Sequence, residues 1–193
     1  MGVHALKRRA VFLDRDGVIN RAFVREGKPY PPATPLEFEI LPGVPRALHR
    51  LHRAGFPIFV VTNQPDVARG TQSRQTVESM HAGLLDAGLP ITSFYVCYHD
   101  SPDECACRKP RPGMLVSAGL KHAIDLGRSF IVGDRWRDIA AGQSVGCQAF
   151  FVDYGYRERR PDPPFTTVSS LAEAAEHILD SQTSTLSVAN TKP

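Results

Sequence analysis

Short apolar runs, each followed by turn residues, recur along the chain and alternate with amphipathic stretches. The runs are rich in Val, Ile and Phe and lack polar alternation, which is typical of strands buried on both faces. They cover residues 10–13, 56–61, 93–97, 129–132 and 148–152. Apolar positions three and four residues apart predict helices over 44–54, 73–88, 113–123 and 136–145, and another from Ser170. This alternation predicts an α/β fold, a Rossmann-like three-layer sandwich around a mainly parallel sheet.

Two proline-rich segments and a polar tail interrupt this alternation. Residues 21–41 predict a long loop over one end of the sheet, and residues 97–113, which also hold three cysteines, predict a second. The Ser- and Thr-rich tail, residues 181–193, is expected to be disordered. We expect a single domain over residues 1–180.

Composition and charge exclude several classes of protein. The 193-residue chain is 42% hydrophobic and 22% charged, as in an ordinary globular domain. Its longest apolar run is too short to cross a bilayer, and Asp14 and Asp16 interrupt any signal-peptide pattern. A net charge of +3 does not indicate a nucleic-acid partner. We expect a cytoplasmic protein with neither a membrane nor a nucleic-acid partner, and we expect a monomer.

Polar residues follow three predicted strands at the sheet edge where α/β proteins bind ligands. The strand ends read Asp14-Arg15-Asp16-Gly17, Thr62-Asn63-Gln64 and Gly133-Asp134-Arg135, with Asp138 one turn later. Neighbouring carboxylates raise one another's pKa unless a cation lies among them, and Mg²⁺ prefers oxygen ligands. A single Asp is equally well explained as a helix cap, but three at one edge exceed that need. The pattern therefore predicts a magnesium site.

These residues resemble the motifs of a known family, the haloacid-dehalogenase-like phosphatases. The run Phe12-Leu13-Asp14-Arg15-Asp16-Gly17-Val18-Ile19-Asn20 resembles the first motif. Val61-Thr62-Asn63-Gln64, Arg108-Lys109-Pro110 and Val132-Gly133-Asp134 resemble the second, third and fourth, in that order. The resemblance spans about residues 8–180. It implies a Mg²⁺-dependent phosphatase.

The resemblance also implies the role of each residue. Asp14 is the nucleophile that forms an aspartyl-phosphate, and Asp16 is the general acid and base. Thr62 and Lys109 hold the phosphoryl oxygens. The Mg²⁺ ligands are Asp14, the backbone carbonyl of Asp16, and Asp134. Asp138 is expected to brace its loop rather than to contact the metal.

A cysteine cluster with the spacing Cys97-x-His99-x5-Cys105-x-Cys107 predicts a zinc site. Four ligands complete a tetrahedron and leave no position for water, so the Zn²⁺ is expected to be structural. It would fix the 97–113 loop that carries Arg108 and Lys109. The alternative is a set of buried thiols beside a surface histidine.

This cluster resembles the zinc-containing branch shared by D,D-heptose 1,7-bisphosphate phosphatases and histidinol-phosphate phosphatases, which lack a large cap domain. The Pro-Gly-Met that follows Lys109 within residues 110–114 resembles the heptose enzymes. It implies hydrolysis of the C7 phosphate of D-glycero-D-manno-heptose 1,7-bisphosphate, in nucleotide-activated heptose biosynthesis. The short gap between His99 and Cys105 is nearer to the histidinol-phosphate form, which stays the alternative. A phosphate-accepting receiver domain is more distant, since Asp14 and Asp16 share one strand end.

A small phosphorylated sugar is the expected partner, and several residues are candidates to bind it. They are Asn63, Gln64, Arg108 and Arg135, with Arg25, Lys28 and Tyr30 of the 21–41 loop as further candidates. Arg108 and Arg135 flank Lys109 and Asp134 in sequence, so their guanidiniums are the candidates for a second phosphate.

Overall fold

A six-stranded parallel sheet forms the centre of the molecule. The computed structural model describes residues 7–189. The sheet contains β1 (Val11–Leu13), β4 (Ile58–Asn63), β5 (Ser93–Cys97), β6 (Phe130–Gly133), β7 (Gln148–Val152) and β8 (Thr166–Val168), in the order β5-β4-β1-β6-β7-β8. Every neighbouring pair in it is parallel. The α/β prediction is confirmed.

Helices cover both faces of the sheet and make it the middle of three layers. They are α1 (Val44–Arg53), α2 (Arg74–Asp86), α3 (Gly113–His122), α4 (Trp136–Gln143) and α5 (Leu171–Ala189). Val11 and Leu13 of β1 join the apolar cluster that packs on α1 and α5. Phe12, between them, joins the cluster on α3 and α4. Because successive side chains of a strand point to opposite faces, one short strand contributes to both cores.

One sequence expectation is corrected by the structure. The predicted loop 21–41 contains a hairpin of β2 (Phe23–Arg25) and β3 (Lys28–Tyr30). Helix α5 extends to Ala189, into the segment 181–193 for which the sequence predicts disorder, and residues 190–193 lie outside the described part.

No helix in the described stretch, residues 7–189, is both long enough and apolar enough to span a membrane.

Candidate active site

The ends of three adjacent strands bring the predicted carboxylates together. Strands β4, β1 and β6 are neighbours in the sheet, so their carboxyl ends lie side by side. Asp14 follows β1, Thr62 lies near the end of β4, and Asp134 follows β6. Ligand oxygens of Asp14, Asp134 and Asp138 lie within 4.8 Å of one another, and all three residues are buried.

Lys109 is the buried cation among these carboxylates. Its Nζ lies 2.8 Å from Asp14 Oδ1 and 2.5 Å from Asp138 Oδ1, and donates to the carbonyl of Val61 at 2.6 Å. Burial lowers its pKa, but the charges of Asp138 and Asp14 outweigh burial and raise that pKa, so Lys109 is protonated. Burial, against the opposing charge of Lys109, raises the pKa of Asp14 to about 6.

Asp134 has a buried oxygen that fits a metal ion. Tyr156 donates its hydroxyl to Asp134 Oδ2 at 3.0 Å, whereas Oδ1 is buried with no hydrogen-bond partner among the described residues. Burial and the charges of Asp14 and Asp138 raise the pKa of Asp134 well above its ordinary value. A cation beside Oδ1 would relieve both costs, and carboxylate and carbonyl oxygens, which Asp14, Asp134 and the backbone of Asp16 supply, are the donors that Mg²⁺ prefers. The residues present therefore fit the predicted ion.

Both carboxylate oxygens of Asp138 already have partners. Lys109 contacts its Oδ1, and the backbone N–H of Arg135 donates to its Oδ2 at 3.0 Å. This second contact caps the start of α4. The arrangement supports a bracing role for Asp138.

Asp16 is held by three side chains. Arg15 donates to both of its carboxylate oxygens, Asn20 Nδ2 donates to Oδ1 at 3.0 Å, and Gln64 Nε2 donates to Oδ2 at 2.8 Å. Gln64 also donates to Thr62 Oγ1 at 2.9 Å. Thr62 and Gln64 are buried below the floor of the cavity, so the structure places Gln64 against Asp16 rather than in the space open to a substrate.

Asn63 connects β4 to the lysine loop. Its Nδ2 donates to the carbonyl of Lys109, and the N–H of Lys109 donates to its Oδ1, both at 3.0 Å. This reciprocal pair fixes the backbone from which Lys109 reaches Asp14. Asn63 also lines the cavity, so its predicted contact with a substrate is compatible with this position.

A cavity of about 270 Å³ opens above these groups. Asp14, Asp16, Lys109, Asp134 and Asp138 line its inner end. Five cations and two carboxylates line the rest, which we call the rim: Lys28, Arg69, Arg108, Arg135, Arg137, Asp66 and Glu158. Tyr30 also lines it, whereas Arg25 does not. The inner end is thus acidic and suited to a cation, while the rim carries excess positive charge.

The rim arginines differ in their carboxylate partners. Arg135 forms a two-point ion pair with Glu158. Arg108 lies 3.6 Å from Asp100 and donates to the carbonyl of His99 at 3.1 Å. Arg137 has no ion-pair partner within the described residues, and its guanidinium lies 5.0 Å from the Trp136 ring.

Sequence reasoning missed several residues of this site, among them Tyr156, Glu158 and Arg137. Tyr156 and Glu158 come from a long loop after β7, where nothing in the local pattern marks a functional side chain. Arg137 did carry a signal: it is the second residue of α4, where the helix dipole disfavours a cation and favours an anion. A basic residue at that position is a candidate to contact a negative group.

The four predicted zinc ligands converge on one point. The distances are 3.6 Å for Cys97 Sγ to Cys105 Sγ, 3.4 Å for Cys105 Sγ to Cys107 Sγ, 3.3 Å for Cys107 Sγ to His99 Nδ1, and 3.7 Å for His99 Nδ1 to Cys97 Sγ. Tetrahedral Zn²⁺ with bonds of about 2.0–2.3 Å has edges of roughly 3.3–3.8 Å. The donor set and its spacing therefore fit zinc.

Replacing Cys107 by Ser is expected to lower the zinc content well below one ion per chain and to raise KM for phosphate esters. The reason is that Cys107 lies two residues before Lys109, on the loop that the cluster fixes. Elemental analysis and steady-state kinetics measure both effects. The control is Cys147→Ala, which changes a buried cysteine outside the cluster, and this variant should keep its zinc. Full zinc content with unchanged KM in the Cys107 variant would contradict the site.

Comparisons with known proteins agree with this geometry. Residues 106–181 match the model of the HAD-hydrolase-like family. The chain is 35% identical over 182 residues to the D-glycero-beta-D-manno-heptose-1,7-bisphosphate 7-phosphatase of Pseudomonas aeruginosa, with 90% of this chain and 99% of that protein covered. It is also 35% identical to the Bordetella bronchiseptica protein of the same name, with 76% and 82% covered.

A solved structure is similar over nearly the whole chain. It is the D,D-heptose 1,7-bisphosphate phosphatase from B. bronchiseptica complexed with magnesium and phosphate. Its TM-score is 0.78 at 30% identity, with 90% of this chain and 99% of that chain covered.

Proposed function

Because the chain belongs to the haloacid-dehalogenase-like phosphatase family, we propose that it hydrolyses the C7 phosphate of D-glycero-D-manno-heptose 1,7-bisphosphate. The observation that carries this proposal is the division of one cavity into two charged ends. The inner end pairs Asp14 with Lys109 at 2.8 Å, and the rim carries five cations against two carboxylates. A bisphosphate needs two such ends, one for the phosphate that reacts and one for the phosphate that stays.

In this mechanism Asp14 attacks phosphorus in line, and the bond from phosphorus to the C7 oxygen breaks. Asp16 gives its proton to the leaving oxygen, which departs as the sugar hydroxyl. Lys109 holds a phosphoryl oxygen as negative charge develops there. Asp16 then takes a proton from the water that attacks the aspartyl-phosphate, and inorganic phosphate leaves as Asp14 is regenerated.

Two metal ions complete the proposal. Asp14, the backbone carbonyl of Asp16, and Asp134 would hold Mg²⁺, and its chemistry there is to neutralise charge on the transferring phosphoryl group. Cys97, His99, Cys105 and Cys107 would hold Zn²⁺ in a structural role. The two hydrogen bonds between Asn63 and the backbone of Lys109 would then link the zinc-bound loop to β4, the strand that carries Thr62.

The rim argues against the histidinol-phosphate alternative. Histidinol phosphate carries a phosphate at one end and a cationic amine at the other, and excess positive charge at the rim repels the amine. The test is kcat/KM for heptose 1,7-bisphosphate and histidinol phosphate, measured side by side with Mg²⁺. We expect the bisphosphate to be preferred at least roughly 100-fold, a ratio of about 2.7 kcal/mol. A preference for histidinol phosphate would overturn the assignment.

Removing a rim guanidinium should affect the bisphosphate selectively. Arg137→Ala and Arg108→Ala are each expected to raise KM for the bisphosphate roughly tenfold, the scale of one charge-assisted hydrogen bond of about 1.5–3 kcal/mol. KM for heptose 7-phosphate should change by less than about threefold, because that substrate has no second phosphate to lose. Arg53→Ala, on the exposed end of α1, is the matched control. Equal increases for both substrates would place these arginines at the reacting phosphate instead.

We further propose that residues 1–180 act as a single phosphatase domain, that the chain works as a monomer, and that it is cytoplasmic. The proposed substrate is a small polar molecule, which supports a cytoplasmic site of action. All residues of the proposed site come from one chain, which supports a monomer. Size-exclusion chromatography with light scattering tests the oligomeric state.

A further inference from the structure

Arg15 is among the largest fully buried side chains of the molecule. Its guanidinium has two hydrogen-bonded edges. Nε and Nη2 face Asp16, at 3.2 and 3.0 Å from Oδ1, and Nη2 is also 3.1 Å from Oδ2. Nη1 lies 3.2 Å from His81 Nε2. Arg15 therefore joins the side chain of Asp16 to helix α2 and does not line the cavity.

His81 must be the acceptor in its contact with Arg15. An arginine side chain has donors only, so Nε2 of His81 is unprotonated and accepts the hydrogen bond. Burial and the positive charge of Arg15 lower the pKa of His81 to about 4, which agrees with a neutral ring. The ring stacks on Phe94 at 4.4 Å between centroids, so its orientation is fixed.

An aromatic ring covers one face of the Arg15 guanidinium. The Phe38 ring, from the segment after the hairpin, lies 5.6 Å from the guanidinium carbon. The guanidinium thus has aromatic carbon on one side, an imidazole acceptor at one end and a carboxylate at the other. Such a side chain cannot move without leaving a buried donor unsatisfied.

Arg15 is fully buried, whereas Asp16 is partly exposed to the cavity, and an ion pair with a buried partner contributes little to stability by itself because desolvation offsets most of the attraction. The pair of Arg15 and Asp16 therefore needs another explanation. Proton transfer depends on a carboxylate that is placed within hydrogen-bond distance of the reacting oxygen, and small displacements are costly.

We infer that Arg15 is a positioning residue for Asp16, and that His81 fixes Arg15 by accepting from its Nη1. The inference rests on the proposed role of Asp16 as the general acid and base. Neither Arg15 nor His81 touches the substrate. Their effect on the reaction is confined to the two steps in which Asp16 moves a proton.

Two variants of His81 separate positioning from packing. His81→Phe keeps an aromatic ring on Phe94 and removes the acceptor, whereas His81→Gln keeps an acceptor and removes the ring. The readout is kcat/KM, which reports the steps up to departure of the leaving group, for heptose bisphosphate, whose alkoxide needs a proton to leave, and for p-nitrophenyl phosphate, whose phenolate leaves without one. For His81→Phe we expect kcat/KM to fall roughly tenfold on the sugar and by less than about twofold on the aryl ester. His81→Gln should stay within about threefold of wild type on both.

Two results for His81→Phe would overturn the inference: wild-type activity on both substrates, or an equal loss on both. Either result would mean that the ring of His81 serves packing alone. Should His81→Phe fail to fold, Arg15→Lys decides the matter, because it keeps the charge and loses the two-edged contact. It should give the same selective loss on the sugar, and an equal loss on both substrates would overturn the inference.

Asp16→Asn is measured in parallel to separate this inference from the proposed function. If Asp16→Asn slows the sugar selectively and His81→Phe does not, the inference fails and the role of Asp16 stands. If Asp16→Asn lowers kcat/KM equally on both substrates, the role of Asp16 as general acid fails and the inference fails with it.

Discussion

Asp14→Asn is expected to lower kcat by on the order of 10³-fold or more while the fold stays intact. An amide has the shape of the carboxylate but is a poor nucleophile, so no aspartyl-phosphate forms. Since burial raises the pKa of Asp14 to about 6, its ionised form is costly to bury. The amide removes that cost, and the melting temperature should be unchanged or higher. Steady-state kinetics and thermal unfolding measure the two effects on the same sample.

The matched control for this substitution is Asp86→Asn, at the exposed end of α2. It makes the same chemical change outside the site and should leave kcat within about twofold of wild type. Turnover of the Asp14 variant within tenfold of wild type would rule out the covalent mechanism.

Lys109→Met is expected to abolish activity and also to destabilise the fold by about 3–5 kcal/mol. The substitution keeps most of the side-chain volume but leaves Asp14 and Asp138 buried without their cation. Removing one partner of a buried ionic group exposes the other to the full desolvation cost. Urea unfolding in the presence of a chelator for Mg²⁺ measures the loss of stability without a compensating metal.

Lys121→Met makes the same change in the last turn of α3, where the side chain is exposed. There the loss should be under about 1 kcal/mol, mostly from the interaction of the cation with the helix dipole. Equal losses in the two variants would mean that Lys109 does not neutralise the buried carboxylates.

The central strands could be predicted because their signal is local. Residues 56–61 and 149–152 are apolar without interruption, and such short apolar runs are typical of strands covered on both faces. The polar residues that follow β1 and β6 then had to meet, since parallel strands end at one edge. The pairing of Lys109 with Asp14 and Asp138 depends on chain folding over long separations. The resemblance placed Lys109 at the site of Asp14, but neither it nor the local pattern predicted the contact with Asp138.

The hairpin and the last strand lacked a local signal. Strands β2, β3 and β8 have three residues each and little burial, too short for alternation to be visible. The hairpin turns at Glu26 and Gly27, with φ values of 51° and 77°. Asn or Asp is the usual first residue of such a turn, so Glu26 did not indicate a hairpin. Prolines at 29, 31, 32 and 35 favoured a loop instead.

Partners within the site were the least predictable part. The sequence placed Arg15 between two functional aspartates, yet gave no indication that it is buried against His81. His81 lies 66 positions away and looks like an ordinary residue of an amphipathic helix. Likewise, the ion pair that occupies Arg135 depends on Glu158, from a loop with no repeating pattern. Such contacts follow from the three-dimensional packing alone.

The most direct measurement is the ³¹P NMR spectrum of D-glycero-D-manno-heptose 1,7-bisphosphate during turnover with Mg²⁺. We expect that the resonance of the C7 ester disappears, that the resonance of inorganic phosphate increases by an equal amount, and that the resonance of the anomeric C1 phosphate persists. Asp14→Asn should leave both ester resonances unchanged. Loss of the C1 phosphate first, or an intact bisphosphate under conditions in which the enzyme hydrolyses other phosphate esters, would contradict the proposed function.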